Sequence, residues 1–167
     1  MVLMGLGRAL RKHPMLNSRL EGDEIVISEA INIGVAVDSP EGLVVPVIGN
    51  ADSAGISQIG ATLRDLSEKA RSGGLSIDEM TGGTFTLTNL GMFGIEQFIP
   101  IINPPECAIL AVGAATEQVV PYQGGTAVRP IMWASLAFDH RIVDGATASK
   151  FFSDLKDKLE QPMSMFV

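Results

Sequence analysis

A chain of 167 residues with 46% apolar content is sized for one domain with a substantial core, and no apolar run approaches the ~20 residues that cross a bilayer. The opening Met1-Val-Leu-Met-Gly-Leu-Gly-Arg8 carries its charge after its apolar segment, the reverse of a signal peptide, so secretion and membrane insertion are not expected. A net charge of −7 argues against a nucleic-acid partner held through phosphates, and a single cysteine excludes an internal disulfide framework and a cysteine-based zinc cage.

Along the chain, helical and extended patterns alternate, which predicts an α/β arrangement with helices on one face of a sheet. Residues 2–12 predict a helix, with Leu3, Leu6 and Leu10 on one side and Pro14 as its stop. His13 falls at the end of that helix, where partial positive charge suits the dipole, and it is read as structural. Residues 25–27, 31–37 and 43–48 predict strands, with Asp38-Ser-Pro-Glu-Gly42 as a turn and Pro46 marking an edge or bulge. Ile56, Ile59, Leu63, Leu66 and Ala70 form one stripe of a second helix that stops near Gly73-Gly74, leaving Arg64, Lys69 and Arg71 on its solvated face. Ser76 and Glu79 have capping-box spacing for a short helix.

Strands follow at 84–88, 108–113 and 131–138, with Tyr122-Gln-Gly-Gly-Thr126 as a hairpin turn between the last two. Cys107 lies in the apolar run leading into the second of these and reads as a buried thiol rather than a nucleophile. A final helix is expected over 144–160, opened by Asp144 and Gly145 and limited by Pro162. The tail Gln161–Val167 ends in apolar groups that dock either on a partner or on the protein's own body.

The segment Ala134-Ser-Leu-Ala-Phe-Asp-His140-Arg-Ile-Val-Asp144-Gly145 runs an apolar strand directly into a histidine. A strand end is a rigid mount, and a side chain leaving it into a cleft suits a general base; a histidine there can equally satisfy two backbone groups. Asp144 lies where it can hold the following loop, and Gly145 is read as letting the backbone turn sharply into the helix.

The stretch Asp139-His-Arg-Ile-Val-Asp-Gly145 resembles the His-x-x-x-Asp-Gly signature of the dihydrolipoamide acyltransferases, the core component of 2-oxo-acid dehydrogenase complexes. Asn32 to Val47, Gly82-Gly-Thr-Phe-Thr-Leu-Thr-Asn-Leu-Gly91 and Ile101 to Gly113 are similar to the same family, in the same order along essentially the whole chain. His-x-x-x-Asp-Gly alone also marks chloramphenicol acetyltransferases and peptide-synthetase condensation domains; four stretches in order are specific.

The resemblance implies a two-layer α/β sandwich around a mixed sheet, chloramphenicol-acetyltransferase-like. It implies homotrimers whose active sites are channels between neighbouring copies, assembled into a cubic or dodecahedral core that works with the dehydrogenase and dihydrolipoamide dehydrogenase components. Within it His140 matches the base that takes the proton from the attacking thiol, whose free pKa of ~8.5 leaves little thiolate at neutral pH. Coenzyme A and a lipoyl group, carried on a domain this chain lacks, are the implied substrates, and no metal is implied. Thr88 matches the hydroxyl that donates to the tetrahedral oxyanion, although Thr84, Thr86 and Thr88 also suit a strand by β-propensity alone.

Asn89 and Gly91 continue the same loop and are implied to line the thiol channel. Asp144 matches a structural aspartate whose basic partner comes from a segment preceding residue 1, so the chain reads as a catalytic domain over 1–167 lacking its N-terminal strand and helix. Asp144-Gly-Ala-Thr147 departs from the Asp-Gly-Arg-Glu of the succinyl branch, and Asn89 to Gly94 looks like the acetyl branch, which leaves acetyl as the expected group with a branched-chain acyl or a non-catalytic scaffold as alternatives. The expected location is the cytoplasm of a bacterium or the mitochondrial matrix of a eukaryote. The tail is implied to join trimers across a two-fold axis.

Overall fold

The structure, a computed structural model, describes residues 1–166. Helix α1 spans Val2–Lys12, buries Leu3, Met4, Leu6 and Leu10, and ends on basic residues Arg11 and Lys12, as the leucine spacing predicts. Pro14 opens a 3₁₀ turn over Pro14–Asn17, after which the chain forms a hairpin of β1 (Ser18–Glu21) and β2 (Glu24–Ile27). Only β2 is predicted from sequence; β1 is a short charged strand held by its neighbours, with the Cys107 amide donating to the Ser18 carbonyl at 3.0 Å.

The single strand predicted over 31–37 is two, β3 (Ile33–Val35) and β4 (Val37–Ser39), and 43–48 is likewise split into β5 (Gly42–Val44) and β6 (Val47–Ile48). The break in the second run falls at Pro46, which has no amide proton to give a ladder, and β6 lies at the edge of its sheet. Strands β4 and β5 form a separate hairpin. Helix α2 (Ile56–Ser72) ends on Gly73 in the left-handed region, φ 70°, where glycine carries no Cβ penalty. Ser76 and Glu79 do form the reciprocal capping pair, around a 3₁₀ turn at Asp78–Met80. Lys69, expected only on a solvated face, bridges Asp65 and Glu79 and so ties α2 to that turn.

Five strands make the main sheet in the order β6-β3-β7-β8-β9, with β7 at Phe85–Asn89, β8 at Ala108–Tyr122 and β9 at Gly125–Phe138. Pairings β3–β7 and β7–β8 are parallel, while β3–β6 and β8–β9 are antiparallel, so the sheet is mixed as expected. The β8–β9 hairpin is far longer than the segments 108–113 and 131–138, and its tight turn falls on Gln123 and Gly124, both at positive φ, within the predicted turn. Alternation places Phe85, Leu87, Leu110 and Val112 on one face, in a single core with Leu6, Leu10, Phe151 and Leu155 of the helices. Phe85 and Phe151 meet there with ring centroids 6.1 Å apart. The other face carries Thr86, Thr88, Ile109 and Ala111.

Helix α3 (Gly145–Glu160) closes the fold against α1, and a 3₁₀ turn follows at Pro162–Met165. The tail packs partly on its own subunit: Met165 is buried in the core, whereas Met163 and Phe166 stay exposed. Val167 lies outside the described residues.

Candidate functional site

His140 is exposed immediately beyond β9, and its rigid mount is real. The Asp139 amide donates to the Cys107 carbonyl at 2.8 Å, extending the β8–β9 ladder to the residue before the histidine. Ile142 and Val143, 8% and 2% exposed, plug the following turn into the core. The imidazole thus stands out from a loop anchored on both sides, 5.6 Å from the Phe138 ring centre to centre. No backbone group among the described residues takes a hydrogen bond from it, which removes the purely structural alternative for this histidine within one copy.

Asp144 serves as the N-cap of α3, its Oδ1 accepting from the Thr147 amide at 2.6 Å. That backbone bond, with smaller contributions from the Thr147 hydroxyl, Ala146 and the charge of His140, holds its carboxyl below the usual range. It forms no ion pair among the described residues. Gly145 is corrected: it takes an ordinary helical conformation and a Cβ there would meet nothing within 4 Å in this copy, so the turn into α3 does not require glycine. Cys107 is buried, and desolvation pushes its thiol up, as its structural reading requires.

Thr88, Asn89 and Gly91 cluster at the opposite end of the sheet. Asn89 Oδ1 accepts from the Gly91 amide at 2.8 Å and turns the chain out of β7. Gly91 lies flat on β8, where an added Cβ would fall 2.7 Å from the Gly113 carbonyl oxygen; Gly113 in turn sits where a Cβ would be 1.8 Å from the Glu96 oxygen. The two glycines let the loop after β7 cross the β8 backbone at a bulge between Val112 and Ala115.

Register fixes how far apart the two groups are. Thr88 is level with Ala111 and Ala111 with Ser135, whereas His140 lies beyond Asp139 at the other end of β9. At about 3.3 Å per residue and about 4.8 Å per strand, they are separated by at least about 13 Å along the sheet and about 10 Å across it. One copy cannot bring the Thr88 hydroxyl and the His140 imidazole onto one substrate atom. Nor do two concavities of about 320 and about 450 Å³ contain any of these residues; the first is lined by Arg8, Arg11, Lys12 and Lys158, the second by Arg19, Asn103 and Glu106 among others.

Two features escape sequence reasoning. Glu106 is buried, 8% exposed, with Oε2 accepting from the Thr86 hydroxyl at 2.6 Å, and desolvation, opposed by bonds from Thr86 and Asn103, raises its pKa to about 7. A lone carboxylate entering an apolar strand, Pro104-Pro-Glu-Cys-Ala-Ile-Leu110, is the available signal. Asp139 and Arg141, on either side of His140, are paired in a bidentate bridge, with Arg141 Nε and Nη2 at 3.0 and 2.6 Å from the two carboxylate oxygens.

All of residues 1–167 match the family described as 2-oxoacid dehydrogenases acyltransferase (catalytic domain). The chain is 42% identical over 159 residues to the succinyltransferase component of the 2-oxoglutarate dehydrogenase complex of Cupriavidus necator, covering 95% of this chain and 38% of that protein. It is also 42% identical over 170 residues to the mitochondrial acetyltransferase component of the pyruvate dehydrogenase complex of Schizosaccharomyces pombe, covering 100% of this chain and 35% of that one. The chain therefore spans well under half the length of these relatives. A solved structure of Azotobacter vinelandii dihydrolipoamide acetyltransferase superposes with a TM-score of 0.95 at 38% identity, over 99% of this chain and 69% of that one. That study concerned a serine, a histidine 52 residues later and an asparagine 4 residues after the histidine. A chloramphenicol acetyltransferase, at 16% identity and a TM-score of 0.55, shares the fold alone.

Proposed function

The chain belongs to the 2-oxoacid dehydrogenase acyltransferase family, and from that premise we propose that it forms an acyltransferase site between two copies, moving an acetyl group between S-acetyl-dihydrolipoamide and coenzyme A. The observation that carries the reading is the placement of Thr88 and His140 at opposite ends of one sheet. His140 of one copy is the general base, taking the thiol proton as sulfur attacks the thioester carbonyl. Thr88 of a neighbouring copy donates its hydroxyl to the oxyanion, and Asn89 and Gly91 shape the thiol channel beside it. Asp144 fixes the start of α3 and with it the histidine loop. The same separations in the Azotobacter vinelandii enzyme support these roles, since Thr88, His140 and Asp144 follow one another at 52 and 4 residues here too.

The surface supports assembly. Strand β9 is the outer strand of the sheet, and Trp133 on it is 50% exposed, while Phe93, Ile99 and Ile101 expose a further apolar run in the loops before β8. A homotrimer covers both, and trimers joined through the tail build the larger core served by the dehydrogenase and dihydrolipoamide dehydrogenase components. The chain is read as the part of such a core that carries both site elements, with the lipoyl group presented by a lipoyl domain. It acts in a bacterial cytoplasm or a mitochondrial matrix. Acetyl is favoured by Asp144-Gly-Ala-Thr147 and Asn89 to Gly94; succinyl is the second reading, favoured by the Cupriavidus necator relative.

The test is transfer to free dihydrolipoamide from acetyl and from succinyl coenzyme A, with oligomeric mass measured on the same sample. His140→Ala is expected to lose at least about a hundredfold in rate at unchanged mass, and Thr88→Ala on the order of a hundredfold. Dissociating and reassembling the two variants together restores roughly a quarter of the sites, because each interface needs one intact histidine and one intact threonine. A full rate in His140→Ala overturns the base, and no recovery on mixing overturns the shared site.

A further inference from the structure

The concavity of about 320 Å³ lies between α1, the end of α3 and the tail, and none of its lining belongs to the site proposed above. On a chain of net charge −7 it gathers four cations, Arg8, Arg11, Lys12 and Lys158, against one carboxylate, Asp52. Arg8, Arg11 and Lys12 come from one face of α1, three and four residues apart, and Lys158, 9% exposed, comes from the last turn of α3. Its walls are close-packed. An added Cβ on Gly7 would fall 2.7 Å from the Ala51 carbonyl oxygen, which seats α1 on the segment carrying Asp52, and one on Gly5 would lie 3.4 Å from the Met165 sulfur of the tail.

Ion pairs leave a surplus of positive charge in the recess. Arg11 is committed to Asp52, its Nε donating to Oδ2 at 2.9 Å. Lys12 and Lys158 share the Asp154 carboxylate at 3.6 and 3.3 Å. Arg8 has no such partner: among the described residues its side chain forms no ion pair, and its Nε is buried without a hydrogen-bond acceptor. Guanidinium N–H groups only donate, and a buried donor left unmet is costly, so the acceptor has to come from outside the described residues. Water brings a lone pair but no charge. A compact oxyanion brings both, in a geometry that the guanidinium fork matches. Met165 is the one apolar side chain in the lining, which disfavours an anion carried on an apolar body.

We propose that this recess is a binding site for a phosphate-class oxyanion, free or as a monoester, held by the Arg8 guanidinium with Lys12 and Lys158 beside it. An anion there joins α1, α3 and the tail. The inference stands apart from acyl transfer, since no residue of the recess takes part in the proposed reaction.

The experiment is calorimetric titration of the chain with inorganic phosphate, and in parallel with glycerol phosphate, at pH 7 and an ionic strength held constant with sodium chloride. Wild type is expected to bind one anion per copy, and to melt about 3–6 °C higher at ten times the dissociation constant than in chloride alone. Arg8→Gln weakens binding at least about tenfold, through the loss of a charge-assisted donor. Lys12→Gln, at a side chain 64% exposed, weakens it about threefold and decides the matter if Arg8→Gln does not fold. Arg71→Gln, in the exposed last turn of α2, leaves binding unchanged. Either ligand binding through Arg8 upholds the inference, and the tighter of the two names the source. Absence of saturable binding in wild type, unchanged binding in Arg8→Gln, or an equal loss in Arg71→Gln overturns it.

Discussion

Replacing Glu106 with glutamine is expected to stabilise the protein, and to do so more at higher pH. The carboxyl is raised from 4.5 to about 7 by burial, so between those values the folded chain holds a proton that the unfolded chain has released. Stability therefore falls as pH rises through that window, and above about 7 the folded state carries the whole cost of a buried, unpaired charge. Integrating the proton difference gives a cost of roughly 1 kcal/mol at pH 5 and roughly 3 kcal/mol at pH 8. Glutamine keeps the shape and can still bond Thr86 and Asn103, without the charge. Unfolding in urea, at one fixed protein concentration because the chain is read as an oligomer, should show the variant gaining roughly 2 kcal/mol more at pH 8 than at pH 5. An equal gain at both pH values, or a loss at pH 8, would refute the burial argument.

Two further substitutions test the local geometry. Gly113→Ala drives a Cβ into the Glu96 carbonyl, and should cost about 2 kcal/mol or more in urea unfolding together with faster hydrogen exchange at the Ala114 amide, which donates to Ile95 at 2.8 Å. Asp144→Ala should lower the melting temperature at pH 7 more than Asp144→Asn, which keeps a capping oxygen and loses only the charge. Because the Asp144 carboxyl is held below its ordinary value, the charge-dependent part of its stabilisation is present above pH 3.8 and is lost as pH falls through the lower folded value, so the gap between wild type and Asp144→Ala should narrow in acid melts.

What could be read without coordinates was whatever is local. The α2 stripe from Ile59 to Ala70, the glycine that ends it, the Ser76–Glu79 cap and the hairpin turn within Tyr122–Thr126 are each specified by a few neighbouring residues, and they appear as expected, whereas Ile56 at the start of the stripe is exposed. The full length of the β8–β9 hairpin is not legible because beyond Gly113 its burial alternates without an apolar run, and the two arms hold each other in register rather than through the core. Strand β1 is not legible because Ser18-Arg-Leu-Glu21 carries two charges in four residues and becomes a strand only against β2 and Cys107. At the site, the histidine and its capping aspartate are legible because they sit four residues apart. The carboxyl of Glu106 is not, since the Thr86 hydroxyl that meets it arrives from another strand. Least legible is the distance between Thr88 and His140, which depends on the relative direction of three strands and on nothing in their spacing.

The unpaired flank of β9 has a consequence for the life of the chain before assembly. Among the described residues no strand pairs with the outer flank of β9, whose row of unpaired amides and carbonyls can accept an extended segment. From Ile131 to Phe138 nothing breaks the row, and the residues there are mostly apolar. If the proposed assembly uses this edge, correct partners and chance ones compete for it, and recognition has to outrun aggregation.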